Sequence, residues 1–90
     1  MVVEHVVELQ NETGLHLRPA MLLANRAANF QSAITVTKDG QQNWVDAKSI
    51  ISLLILGAEK GARLRIRAEG DDAEQALAAL TNLISSKFST

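Results

Sequence analysis

Residues Arg63 to Glu69 alternate without a break, with Leu64, Ile66 and Ala68 on one side and Arg63, Arg65 and Arg67 on the other. A two-residue period is that of a β-strand. Three arginines keep one face in water, while the apolar face demands a cover. Two further segments obey the same rule. Between Met1 and Gln10, Val3, His5, Val7 and Leu9 oppose Val2, Glu4, Val6 and Glu8, and the glutamates mark the second set as the outer one. Ala33 to Lys38 sets Ile34 and Val36 against Thr35 and Thr37. Each strand has one apolar face, so the sheet needs helices on a single side, which selects an α+β architecture.

The helical signals lie between these strands. Ala73, Ala76, Leu77, Leu80, Leu83 and Ile84 form one stripe at helical spacing. Asp71 is the expected N-cap, with Glu74 at the capping-box position, and Ser85 to Thr90 reads as a frayed tail. Ala20, Leu23, Ala24 and Ala27 form a second stripe, which Phe30 closes. Ser49 to Leu56 reads as a short apolar helix with Ser49 as N-cap and Gly57 as C-cap. Its Leu53 and Leu56 point inward, leaving Ile50, Ile51 and Leu54 too little core to fill, as at a binding surface. Asp39-Gly40 signals a hairpin whose returning arm runs from Gln41 to Asp46 and carries Trp44. The order is βαββαβα.

Ninety residues make one domain, 1–90, with a single modest core. Aromatics are only 3% against 47% hydrophobic residues overall, so that core is aliphatic. Nine basic and ten acidic residues give a net charge of −1, which offers no bulk attraction for nucleic acid. The arginine face lacks the interleaved aromatics of an RNA platform, and Glu4 and Glu8 can pair with it across the sheet. Without cysteine there is no disulfide framework or thiolate metal site, and no metal or cofactor is expected. His5 reads as structural or partly exposed. The amino terminus lacks a basic region followed by an apolar block, so no signal peptide is expected. The apolar run Ile50 to Ala58 is too short to span a membrane. A cytoplasmic protein is the expectation.

Gly14-Leu15-His16-Leu17-Arg18-Pro19-Ala20 is the stretch where chemistry concentrates. Pro19 has no N–H and suits a first helical turn, so a helix starting at Leu17 makes His16 its N-cap. Unpaired N–H groups and the positive end of the helix dipole favour an anion there. Arg18 adds a permanently charged fork that fits phosphate oxygens. A nucleophilic ring, a backbone anion cradle and an arginine within three residues point to phosphoryl chemistry on His16. The competing reading is a surface cap with no chemistry. Leu17 and Met21 fall off the buried stripe, on the side that carries His16.

The same stretch resembles the active-site signature of the histidine-containing phosphocarrier protein (HPr) family of the phosphoenolpyruvate:sugar phosphotransferase system. Ala47-Lys48-Ser49-Ile50-Ile51, followed by Leu53 and Leu56-Gly57, resembles that family's second signature. Phe30, Ile34-Thr35-Val36, Lys60-Gly61 and Ala68-Glu69-Gly70 fall in the expected order. The resemblance implies an open-faced β-sandwich: a four-stranded antiparallel sheet, order 1-4-2-3, with three helices on one face.

It also implies a carrier rather than a turnover enzyme. His16 would be phosphorylated on Nδ1 by enzyme I, with phosphoenolpyruvate as original donor, and would pass the group to enzyme IIA components for sugar uptake. Arg18 would neutralise charge during transfer. Ser49, structurally a cap, matches a serine phosphorylated in many relatives by a dedicated HPr kinase/phosphorylase, with a transcriptional regulator as a further partner. Leu17, Met21, Ile50, Ile51 and Leu54 form the expected docking patch of a monomer that neither binds nucleic acid nor inserts into a membrane.

Leu17 departs from the small or polar residue of many relatives. Leu53-Leu54-Ile55-Leu56 and the alanine-rich last helix lean toward the nitrogen-related regulatory branch. Two other classes stay open: a non-catalytic regulator binding a transcription factor, against which His16 counts, and a small RNA- or protein-binding domain.

Overall fold

A computed structural model describes residues 1–89. Its elements are β1 (Val2–Glu8), α1 (Leu17–Ala27), β2 (Ala33–Lys38), β3 (Val45–Asp46), α2 (Ile50–Leu56), β4 (Arg63–Glu69) and α3 (Ala73–Ser85). The sheet order is β1-β4-β2-β3, every pair antiparallel. This is the expected α+β open-faced sandwich.

Alternation sorts the two faces as the sequence requires. Ile34, Val36, Leu64, Ile66 and Ala68 are buried, and Val3 and Val7 pack against the same core. All six residues of the α3 stripe are buried, as are Ala20, Leu23, Ala24 and Ala27 of α1. Helix α3 packs on β1 and β4, and α1 packs on α2 and α3. At roughly 25 cal/mol per Å² of apolar surface, this aliphatic burial is the dominant stabilising term.

The open face carries the arginines. In register, Glu4 lies opposite Arg67 and Glu8 opposite Arg63, yet the ion pair that forms is diagonal, Glu4 with Arg65. Among the described residues Glu8 forms none, so half of the expected pairing is realised. The face is also less bare than the sequence suggested, because the Arg65 guanidinium lies 5.6 Å from the centre of the Trp44 ring.

Three local expectations need correction. The returning arm of the hairpin shrinks to Val45 and Asp46, paired with Val36 and Thr35; residues 41–44 make no ladder. The N-cap of α3 is Asp72, not Asp71, and its carboxylate does not cap the helix. It instead accepts from the Gln31 N–H (2.8 Å), the Ser32 N–H (2.9 Å) and the Ser32 hydroxyl (2.5 Å), tying α3 to the loop before β2. These donors hold the Asp72 carboxyl below its ordinary value of 3.8, the Ser32 hydroxyl most of all. Finally, residues 86–89 are ordered by the fold rather than frayed. Phe88 is only 8% exposed, and its N–H donates to the Leu83 carbonyl at 2.8 Å. Thr90 lies outside the described residues.

Candidate functional site

Helix α1 starts where Pro19 dictates. His16 is the N-cap, with extended backbone (φ −78°, ψ −172°), and Pro19 is the third helical residue. The Ala20 N–H donates to the His16 carbonyl at 2.9 Å, so the helical ladder begins there. Pro19 has no N–H to offer, which leaves those of Leu17 and Arg18 as the donors without a carbonyl one turn back. The His16 side chain makes no capping hydrogen bond and is exposed. Its ring is therefore not occupied by the structural role that competed with chemistry.

The turn before His16 is pinned from behind. Gly14 has φ +60°, and a Cβ there would lie 2.7 Å from the Ala58 carbonyl oxygen and from Glu59 Cα. The Leu15 N–H donates to the same Ala58 carbonyl at 2.9 Å. Gly57, left-handed at φ 69°, ends α2 and turns the chain toward that contact. The end of α2 thus fixes the start of α1. His16, Leu17 and Leu54 consequently line one cleft of about 350 Å³, with Glu59 at its wall.

A second cleft, of about 580 Å³, lies along α1 and is lined by Leu17, Arg18, Met21, Leu22, Asn25 and Phe88. Of the expected docking residues, Leu17 is 57% and Ile51 70% exposed, and Met21 and Leu54 are exposed as well. Ile50 is not: it is half-buried and packed against the core. Ile55, 75% exposed, takes its place on the surface. The spacing Ile51, Leu54, Ile55 (i, i+3, i+4) already held that signal, since one helix face unites them.

Ser49 caps α2 by accepting from the Ser52 N–H at 3.2 Å, and it lines neither cleft beside His16. His5 is exposed on β1, in a shallow cleft with Glu74 and Leu77 of α3. No arginine stands in that cleft, and the α3 first turn that reaches it presents the carboxylate of Glu74. The Glu12 carboxylate pairs with the Lys60 ammonium at 2.8 Å, which holds its carboxyl below the ordinary 4.5. No helix among the described residues is long and apolar enough to cross a membrane.

The family described as "PTS HPr component phosphorylation site" matches residues 3–86. The chain belongs to the HPr phosphocarrier family. A phosphocarrier role follows from that membership.

Among HPr relatives, the multiphosphoryl transfer protein of Salmonella typhimurium is 46% identical over 77 residues. That match covers 84% of this chain but 20% of the relative, so the chain spans about a fifth of that protein's length. The phosphocarrier protein NPr of Escherichia coli K12 is 36% identical, covering 98% of this chain and 97% of its own. The crystal structure of HPr from Thermoanaerobacter tengcongensis superposes with a TM-score of 0.89 at 46% identity, covering 96% and 94% of the two chains. That organism's HPr has also been crystallised as a dimer.

Proposed function

We propose that this HPr-family chain is a phosphotransferase-system carrier, acting as a monomer in the cytoplasm. His16 Nδ1 accepts a phosphoryl group from phosphorylated enzyme I and yields it to enzyme IIA components. The observation that carries the reading is an exposed, uncommitted His16 ring at the head of α1, next to Arg18. In transfer, the new N–P bond to His16 forms as the N–P bond of the donor breaks. The electron pair returns to the donor nitrogen, and each ring keeps the proton on its other nitrogen. The N–H groups of Leu17 and Arg18, together with the Arg18 guanidinium, face the charge on the moving group. Because the cradle holds few donors, the bound phosphoryl group is not trapped, as a carrier requires.

The apolar surface made by Leu17, Met21, Ile51 and Leu54, extended by Ile55, is the proposed docking patch for both partners. A phosphate on Ser49 would stand at the start of α2 and weaken docking by adding charge to that patch. This is the route by which an HPr kinase/phosphorylase and a transcriptional regulator would act. A second reading places the carrier in the nitrogen-related branch. It is favoured by an α2 that is apolar except for Ser52 and has no basic residue in its last turn, and by the full-length similarity to NPr.

The deciding experiment incubates the chain with enzyme I and radiolabelled phosphoenolpyruvate. We expect acid-labile label that His16→Ala abolishes and His5→Ala retains. Label surviving His16→Ala would defeat the assignment. Parallel incubation with the nitrogen-related enzyme I separates the two branches by relative rate.

A further inference from the structure

The segment after α3 turns back sharply. Lys87 and Phe88 adopt φ +58° and +61°, and they are the only non-glycine residues described with positive φ. L-residues avoid this region, so two in succession require that the surroundings hold them. The holding contact is Phe88, nearly buried against the core. The Lys87 side chain, by contrast, is exposed, and glycine would serve the turn at lower strain.

Lys87 points to a use elsewhere. A cleft of about 540 Å³ is lined by Asn11, Thr13, His16, Arg18, Lys87 and Phe88, among others. It joins the turn before His16, the first turn of α1 and the segment after α3. The Lys87 charge reaches that turn, since it helps to hold the Glu12 carboxyl down after the stronger effect of Lys60. Among the described residues Lys87 forms no ion pair. The phosphoryl group spreads negative charge over three oxygens. The head of α1 meets it with one guanidinium and, because of Pro19, a shortened set of N–H donors. One more cation in the same cleft suits that demand.

We propose that Lys87, held in place by the burial of Phe88, is a second cation of the phosphoryl site. The inference rests on His16 being the phosphorylated residue. Lys87 acts on the phosphorylated and transferring states, so it favours the carrier's share of phosphoryl groups at equilibrium as well as the rate.

The test uses the full chain, enzyme I and radiolabelled phosphoenolpyruvate, with Lys87→Glu, Lys87→Arg and Phe88→Ala variants. Two quantities are read: the transfer rate at saturating enzyme I, and the equilibrium ratio of phosphorylated carrier to phosphorylated enzyme I. Lys87→Glu should lower the rate about tenfold and shift the equilibrium several-fold against the carrier. Lys87→Arg should restore both. Phe88→Ala, with helical circular dichroism retained, should lose part of each by releasing the turn. If Lys87→Glu changes only the enzyme I concentration needed for half-saturation, Lys87 steers encounter and the proposal fails. It fails equally if neither quantity moves. A wild-type chain that takes no label on His16 would instead defeat the carrier reading itself.

Discussion

At the scale of single residues, the site combines a free ring with a fixed charge. Arg18 is exposed in the first turn of α1 and supports no core packing, so its role and the fold are separable. Arg18→Ala should slow phosphoryl transfer by at least about tenfold, as loss of a charged donor to a developing anion does. The thermal midpoint should stay within a degree or two. Stopped-flow transfer kinetics and a melting curve check both. Asp72 presents the opposite case, a charge used for the fold. Its carboxyl is held below 3.8 by Ser32 and Gln31, so its contribution is present above the unfolded value and lost as pH falls through the lower folded value. Asp72→Asn should therefore be less stable than wild type at neutral pH, and the difference should shrink in acid as the Asp72 carboxylate is protonated. Denaturant titrations at several pH values measure it. The sequence marked Asp71 as the cap because capping is a local rule. The true use of Asp72 depends on a loop some forty residues away, which no local rule contains.

At the scale of elements, what was legible tracks how local the determinant is. The stripes of α1 and α3, the Pro19 start and the Gly57 stop are properties of one segment, and all stand where the residues placed them. The returning arm at Gln41 to Trp44 was misjudged because a strand is made by its partner, and β2 offers a ladder only to Val45 and Asp46. Phe88 was read as tail because burial of one aromatic beyond a helix depends on a groove built by α1. Helix α2 sits between these cases. Its inward pair was plain, but Ile50 faces the core more than its spacing suggested, and Ile55 faces water. Since Ile51 and Ile55 share one exposed face, Ile51→Glu should weaken association with enzyme I and with the acceptor together, by about tenfold, with little change in stability. NMR titration with either partner reads this. Shifts centred on Arg63, Arg65 and Arg67 would move the docking patch to the open face of the sheet.

At the scale of the whole molecule, β4 is the member on which the others depend. Strands β1 and β2 do not pair with each other; each pairs along its length with β4, and β3 reaches the sheet only through β2. A chain ending at Ala62 contains both signatures of the site but no β4. It should show no cooperative melt and no labelling of His16, which circular dichroism and phosphoenolpyruvate assays would establish. The same dependence sets a clock on synthesis. His16 is made before β4, yet the sheet that holds its helix cannot close until residues 63–69 have left the ribosome, and their emergence lets β1 and β2 pair almost together. A newborn chain therefore has no half-finished state in which His16 is already displayed to a donor. The surface around His16 is complete only once residues 63–69 have joined β1 and β2 in the sheet.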